Sequence, residues 1–201
     1  MGDFLEIMLA SEGRARLVKF FLLNPNSKAS TQELKEKLRL DKRTIKKETD
    51  ILLKAGLIKK RKAGGKSHFF TSRECEFYPE LKKIVSKCTV FPQIKSLDRI
   101  PKTGHVKLIL VTGIFANNLK TRADILIVGD GVSKPRLAEV IKDIEAEIGK
   151  EIRYALFTEE EFGYRLNMFD KFIKEFFEGA HRIIFNKIKD KDLPINKEQE
   201  K

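Results

Sequence analysis

A dense run of positive charge occupies residues 41–66 (DKRTIKKETDILLKAGLIKKRKAGGK), which hold ten Lys or Arg against three Asp or Glu. Apolar residues such as Ile45 and Leu52 recur through the run, and we expect them to face a core. The cationic side chains cannot follow them inside, because an unpaired buried charge is too costly. The pattern therefore predicts a helix with a basic exposed face, followed by two short strands around Gly64 and Gly65. A cationic helix beside a cationic hairpin is suited to binding nucleic acid.

The charge of the whole chain is unevenly distributed. Residues 1–104 contain 24 Lys or Arg and 12 Asp or Glu, whereas residues 105–201 contain 17 of each, so the formal charge of +12 lies in the first half. Such asymmetry predicts a polyanionic partner for that half. The alternative is a basic surface that only improves solubility. A membrane-surface role is disfavoured, because no long, strongly apolar amphipathic stripe accompanies the basic residues.

Length and composition narrow the possible classes of protein. With 201 residues the chain can form two modest domains, each with its own core. No stretch approaches the roughly 20 continuous apolar residues of a membrane span, and the first residues carry acids where a signal peptide carries positive charge. We therefore expect a cytoplasmic protein. The two cysteines (Cys75 and Cys88) and three scattered histidines lack metal-finger spacing, so neither a metal site nor a cofactor is expected.

The order of capping and turn residues in the first 71 positions predicts three helices followed by a hairpin. Gly56 ends the third helix, and the adjacent glycines at 64 and 65 tolerate the positive φ angles of a tight turn. Each helix has its own candidate N-cap: Ser11 for the first, Ser30 with Glu33 as a capping box for the second, and Asp41 for the third.

Residues 11–71 resemble a winged helix-turn-helix domain of the kind found in bacterial and archaeal transcriptional regulators. The segment RTIKKETDILLKAGLIK matches the recognition helix of that family and its closing L-x-x-x-G-L-I pattern. The resemblance implies a helix that enters the major groove of DNA and a hairpin wing that lies on phosphates or in the minor groove. Such domains also serve as protein-interaction modules, but four basic residues on the third helix favour DNA.

The candidate DNA contacts follow from position along these elements. The exposed early turns of the third helix are expected to reach base edges, and Arg43 is expected to make a bidentate contact with guanine. The wing lysines are expected to neutralise phosphates. Thr31, at the start of the second helix, either donates to a phosphate or only helps to cap the helix. The candidates for base contact are Lys42, Arg43, Thr44, Lys46 and Lys47, and those for phosphate contact are Lys60, Lys62 and Lys66.

The rest of the chain predicts a helical linker and then alternating strands and helices. Pro79 fits the first turn of a short helix over 78–85. Strands that alternate with helices imply an α/β or α+β domain with a small mixed sheet. The predicted strands cover 106–115, 123–130, 151–158 and 182–185, and the predicted helices cover 134–149 and 159–179.

Residues 104–180 resemble the minimal nucleotidyltransferase fold of the DNA polymerase beta superfamily, through the segments VTGIFANN and ADILIVGD. In that family a Gly-Ser pair holds the nucleotide triphosphate and an Asp-x-Asp pair binds two divalent metals. Here Ile114 stands where the serine belongs, and Arg122 replaces the first acid while Asp124 matches the second. The resemblance therefore implies a degenerate domain without a two-metal site, and we expect no catalysis.

Binding is what such a domain could retain. Gly113, Lys120, Arg122 and Asp124 form a candidate nucleotide or anion pocket, which would sense an effector. The alternative is a fold kept for packing and dimerisation. The many phenylalanines of the predicted helix 159–179 exceed a single face, which is consistent with a self-association surface and a homodimer.

The sequence as a whole predicts an α+β protein of four parts. These are a winged helix domain over 1–74, a helical linker over 75–103, a nucleotidyltransferase-like domain over 104–187 and a flexible tail over 188–201. We expect a dimeric, sequence-specific regulator that binds double-stranded DNA and no membrane. Two alternatives stay open: an active metal-dependent nucleotidyltransferase with a winged-helix substrate adaptor, and an antitoxin-like protein-interaction module.

Overall fold

A computed structural model of the chain describes residues 3–88, 94–116, 121–188 and 193. The architecture is mixed α and β with two separate sheets, as the sequence predicts. The chain divides into two compact units. The first unit comprises Met1–Ser96 with Ile141–Glu151, and the second comprises Leu97–Val140 with Ile152–Lys201.

The first unit contains five helices and three strands from the N-terminal part of the chain. The strands form an antiparallel sheet in the order β1-β3-β2. The sequence pattern does not predict α1 or β1, because elements of six and three residues are too short to show a period. The bounds are α1 (Phe4–Leu9), α2 (Glu12–Leu23), β1 (Lys28–Ser30), α3 (Thr31–Leu38), α4 (Lys42–Lys54), β2 (Ile58–Ala63), β3 (Lys66–Thr71) and α5 (Tyr78–Cys88).

The predicted helix caps and the predicted hairpin turn are confirmed. Ser11 accepts a hydrogen bond from the amide of Arg14, and Ser30 forms the full capping box with Glu33. Asp41 accepts from two amides of the first turn of α4. The three glycines that close α4 and the hairpin all have positive φ: 70° at Gly56, 56° at Gly64 and 72° at Gly65. Local chemistry therefore decides where these elements begin and end.

The core of the first unit forms around α2, which packs against α1, α4, α5 and β3. Its apolar side chains meet those of the other helices and of the sheet in one cluster. Thr71 of β3 donates its hydroxyl to the carbonyl of Phe21 over 2.7 Å, which anchors the sheet to the helix. Fully buried members of the cluster include Leu17, Phe21, Leu22, Leu34, Leu38, Ile45 and Ile58.

Residues 141–151 also pack within this first unit. Asn24 donates its side-chain amide to the carbonyl of Gly149 over 2.7 Å, and Lys19 donates to the carbonyl of Glu147 over 3.0 Å. Gly149 has φ 78°, and a Cβ there would lie 2.6 Å from the backbone nitrogen of Phe20. A side chain at this position would therefore push the segment away from α2.

The second unit is built on a four-stranded sheet in the order β6-β5-β4-β7. β5 and β6 are parallel and the other pairs are antiparallel, so the predicted small mixed sheet is confirmed. The elements after α5 are β4 (His105–Val111), β5 (Ile125–Asp130), α6 (Lys134–Ile148, of which residues 141–148 belong to the first unit), β6 (Tyr154–Phe157), α7 (Glu159–Asn167), α8 (Lys171–Glu178) and β7 (Arg182–Asn186), with 3-10 helices over Lys95–Thr103 and Gly113–Ala116.

The prediction of one long helix over 159–179 is wrong, because the chain breaks between α7 and α8. Phe169 adopts a left-handed φ of 51°, which no α-helix continues. Asp170 then caps α8 by accepting a hydrogen bond from the amide of Phe172 over 2.7 Å. The apolar period runs through the break and hides it. Most of the predicted tail lies outside the described residues.

Two glycines inside helices allow a matched test of this packing. A Cβ on Gly13 of α2 would lie 2.6 Å from Cγ2 of Thr44 on α4, whereas a Cβ on Gly163 of α7 would meet nothing within 4 Å. We expect Gly13→Ala to lower the free energy of unfolding by about 1–3 kcal/mol through overpacking. Gly163→Ala should raise it by about 0.5–1 kcal/mol. Urea unfolding measures both, and two shifts of the same sign would contradict the close approach of α2 and α4.

Candidate nucleic-acid interface

The helix α4 separates apolar and charged residues onto opposite faces. Its inner face packs against α2, α3 and β2 and buries four side chains: Ile45, Glu48, Thr49 and Leu52. Its outer face leaves four cations of the first two turns exposed: Lys42, Arg43, Lys46 and Lys47. The predicted candidates for base contact, apart from Thr44, therefore share one accessible surface. We call these four residues the basic face of α4.

A buried carboxylate fixes the rotation of α4 about its axis. Glu48 is only 2% exposed, and its oxygens accept from the hydroxyl of Ser11 over 2.9 Å and from Nε of Arg14 over 2.8 Å. Arg14 also donates to the carbonyl of Leu9 over 2.9 Å. A buried charge with two such donors is satisfied, but it would be costly in any other orientation. Sequence reasoning missed Glu48, because an acid within a basic helix suggests exposure rather than burial.

The basic face of α4 does not stabilise its own helix. Within the described residues, none of its four cations forms an ion pair. Lys42 and Arg43 also stand in the first turn of the helix, where the macrodipole disfavours a cation by about 0.3–1 kcal/mol. Asp41 at the cap is the only residue of this turn that suits the dipole. The four cations are therefore available to a negatively charged group outside the helix.

An acid limits the length of this basic face. Asp50 is exposed one turn after Lys46, on the same side of α4. The uninterrupted cationic surface thus runs from Lys42 to Lys47, about 8 Å along the helix axis.

The hairpin of β2 and β3 adds a second cationic surface to the first unit. β2 lies at the edge of the sheet and is exposed from residue 59 to residue 63. Alternate strand residues point to opposite faces, so Lys60 and Lys62 share one face. Lys60 lies 5.7 Å above the ring of Phe69, while Lys62 and Lys66 have no ion-pair partner among the described residues. Charges on an edge strand also prevent pairing with other chains, so part of this pattern has a structural use.

Arg61 is a cation that sequence reasoning left out of the candidate set. It lies opposite His68 in the hairpin register and is exposed, without an ion-pair partner in the described residues. Its neighbour Lys59 differs, because Lys59 pairs with Glu74 over 2.5 Å. Because side chains alternate along a strand, the sequence would have placed Arg61 on the face opposite to that of Lys60 and Lys62.

The two candidate threonines are partly engaged within the fold. The hydroxyl of Thr44 donates to the carboxylate of Asp41 over 2.6 Å, which supports the cap of α4. Thr31 is the first residue of α3 and is half-buried beside the capping box. Both lie near the basic face of α4, and a contact from either to a phosphate stays a prediction.

In the second unit, Gly113 and Asp124 of the predicted anion pocket come together. Asp124 is 3% exposed and accepts from the amide of Ile114 over 3.0 Å and from the amide of Arg153 over 2.9 Å. Gly113 has φ 56°, and a Cβ there would lie 2.1 Å from Oδ1 of Asp124. The loop amide at 114 that could hold an anion thus holds the carboxylate of Asp124 itself.

The other two residues of that pocket do not join them in the described structure. Arg122 makes a bidentate ion pair with Glu175 of α8 over 2.9 and 3.1 Å and lies 4.8 Å from the ring of Phe172. Lys120 lies outside the described residues. Across 3–88, 94–116 and 121–188, no group of three or more His, Cys, Asp or Glu side chains could hold a metal ion. Anion binding at this place stays a prediction.

No protein-family model, curated protein or solved structure matches this chain significantly. Its function must therefore come from the residues and distances given above. None of the helices in the described ranges is both long enough and apolar enough to cross a bilayer.

The cap of α4 has a pH dependence that can be measured. Hydrogen bonds from the side chain and amide of Thr44, and from the amide of Arg43, lower the pKa of Asp41 below its ordinary value. Asp41 therefore stabilises the fold fully above its unfolded pKa of about 3.9, and this contribution is lost as pH falls through the lower folded pKa. Asp41→Asn keeps a capping acceptor but does not titrate, so its melting temperature should fall less between pH 6 and pH 2.

A second variant checks the physical cause of this effect. Thr44→Val keeps the shape of the side chain but removes the donor that contributes most to the lowered pKa. Its pH profile of melting temperature should lie between those of wild type and Asp41→Asn. Superimposable profiles for all three proteins would show that the cap does not titrate as described.

Proposed function

We propose that the protein is a sequence-specific DNA-binding transcriptional regulator whose first unit is a winged helix-turn-helix domain. In this proposal α4 is the recognition helix and the hairpin of β2 and β3 is the wing. The observation that carries it is the basic face of α4. Its four exposed cations form no ion pair among the described residues, and two of them, Lys42 and Arg43, lie in the first turn, where the helix dipole disfavours a cation. A polyanion supplies the negative charge that the fold itself does not.

The order of elements in the first unit supports the same proposal. The helices α2, α3 and α4 are followed directly by an antiparallel hairpin, and a short strand between α2 and α3 completes the sheet. α4 packs with its inner face on α2 and α3, so its outer face is available to a groove. The capping box at α3 and the cap at α4 give both helices defined starts. A rigid support of this kind is needed when side chains must reach base edges in a fixed register.

Separate roles follow for the helix and for the hairpin. Arg43 is the best candidate for a bidentate contact with guanine, because its planar guanidinium matches the O6 and N7 acceptors. Lys42, Lys46 and Lys47 lie beside it and contact bases or the adjacent phosphates. Lys60, Lys62 and Lys66 neutralise phosphates, which gives affinity without sequence preference, and Arg61 extends that set. The second unit serves as a dimerisation or effector domain in this proposal.

The two alternative functions have weaker support. A nucleotidyltransferase needs free carboxylate oxygens to bind metal, whereas those of Asp124 accept hydrogen bonds from Ile114 and Arg153. A protein-interaction module that used α4 would be expected to expose apolar side chains there. The exposed large hydrophobic residues of the described first unit instead lie on other helices.

Binding to duplex DNA as a function of salt tests the proposal directly. The full chain would be titrated into a fluorescent random-sequence duplex and into duplexes enriched from a random pool, at several salt concentrations. We expect log K to fall linearly with log salt, with a slope of about −0.9 for each phosphate contacted. Absent binding, or binding that does not change with salt, would overturn the proposal.

Two substitutions separate base contacts from phosphate contacts. Arg43→Ala should relax the preference at one base position, with a loss of about tenfold or more on the selected duplex and little on random DNA. Lys66→Ala should weaken both duplexes about equally and reduce the salt slope by about 1. Lys171→Ala in the second unit makes the same charge change as a control and should alter neither quantity. Equal effects of all three variants would contradict the assigned roles.

A further inference from the structure

The exposed large hydrophobic residues of the first unit are concentrated on two helices. All those in the described part of this unit lie on α1, on α5 or directly before α5, and their exposed fractions run from 43% to 65%. None lies on α2, α3, α4 or the hairpin. We call this surface the α1–α5 face, and it consists of Phe4, Ile7, Met8, Phe77 and Ile84.

The fold itself does not need these five side chains. α1 and α5 pack against each other and against α2 through different residues. Leu5 and Val85 are buried in the core cluster, and Leu9, Tyr78 and Leu81 pack against it. Both helices therefore use one side for the core and still carry an apolar second side. A short six-residue helix such as α1 gains nothing from exposing three large apolar residues to water.

The size of the α1–α5 face fits half of a specific interface. With about 200 Å² for each fully exposed side chain of this size, the exposed fractions leave roughly 500–600 Å² of apolar surface. Two such faces would bury about 1,100 Å² from these side chains alone, and the surrounding polar atoms would add to it. Specific interfaces between proteins bury about 1,200–2,000 Å² in total.

The charges along α5 favour a second copy of the same face as the partner. Phe77, Glu80, Ile84 and Lys87 follow one another at helical spacing on the exposed side of α5. If two α5 helices pair antiparallel about a point between Lys83 and Ile84, Glu80 lies opposite the partner subunit's Lys87. Neither Glu80 nor Lys87 has an ion-pair partner in the described residues. A face that carries both signs in this order complements itself under a two-fold axis.

The basic face of α4 remains open in such a pair. Within the first unit α4 packs against α2, α3 and β2, whereas α1 and α5 pack against α2 and against each other. Association through α1 and α5 would leave the cations of both copies available to DNA. Two-fold operators need this arrangement, because each half-site is read by one copy.

We propose that the α1–α5 face joins two copies of this chain into a dimer, by antiparallel pairing of α5 with α1 alongside. The inference names a second copy as the partner of the proposed regulator. Only the use of the dimer in DNA binding rests on the proposed function. The pairing itself needs no DNA. Of the two roles given above to the second unit, it moves dimerisation to the first unit and leaves effector binding to the second.

A charge exchange on the full chain tests the pairing without disturbing apolar packing. Sedimentation equilibrium would measure the dissociation constant of wild type, Glu80→Lys, Lys87→Glu and the double variant, all without DNA. Each single change places like charges opposite each other and should raise the dissociation constant about tenfold or more, and the double variant should restore it. Both residues are exposed, so circular dichroism should show unchanged folding. A double variant no better than the singles would overturn the antiparallel pairing.

Apolar variants test the surface more broadly. Ile84→Lys should dissociate the dimer, whereas Phe169→Ser, on the exposed turn between α7 and α8 of the second unit, should leave it intact. The reverse result would move the interface to the second unit and overturn the inference. A wild-type chain that stays monomeric at about 100 µM would also overturn it. So would a monomeric chain that sediments with phosphatidylglycerol vesicles, because the face would then bind a membrane.

DNA binding separates the failure of this inference from that of the proposed function. A dimer that binds no DNA would support the inference about the α1–α5 face and contradict the proposed DNA-binding function. Ile84→Lys should bind a single half-site with wild-type affinity and salt slope but lose the added affinity for two half-sites one helical turn apart. Unchanged affinity for the paired sites would show that the α1–α5 face has no part in DNA recognition.

Discussion

The burial of one carboxylate governs which side of α4 meets water. Glu48 lies between α2 and α4 with two donors from the start of α2, so the helix cannot rotate without losing both. Successive helix residues are about 100° apart. A shift by one position would therefore bring Lys47 toward the core and Ile45 toward solvent, and both changes are unfavourable. The exposure of the four cations that form the basic face of α4 depends on this orientation.

The first unit thus divides its surface between two kinds of interaction. α4 and the hairpin carry charge that the fold does not neutralise, whereas α1 and α5 carry apolar area that the fold does not bury. Each is unfavourable for an isolated molecule, the first through repulsion and the second through exposure to water. The two surfaces lie on different helices, so both can be occupied at once. Such a division is compatible with the proposed regulator, which would bind a second copy and DNA together.

Sequence alone could predict the features that depend on neighbouring residues. The caps at Ser11, Ser30 and Asp41 and the glycine turn follow from local hydrogen bonds and φ angles, and the structure confirms them. Features that join distant residues were missed. Arg122 lies 53 positions from its partner Glu175, and the amide of Arg153 reaches Asp124 across 29 positions. No local pattern marks these pairs, nor the packing of residues 141–151 within the first unit.

In the proposed function, the position of Asp50 limits how many base pairs one copy can contact through α4. The cationic surface before it covers about 8 Å of helix, which is the height of two to three base pairs. Contacts to three base pairs distinguish one sequence among about 64 possible ones. A genome offers about 10⁶ or more competing positions, so in the proposed function one α4 helix alone could not distinguish a single binding site. In the proposed regulator, whose hairpin contacts only phosphates, the remaining base pairs must therefore be read by a second copy bound at the same time.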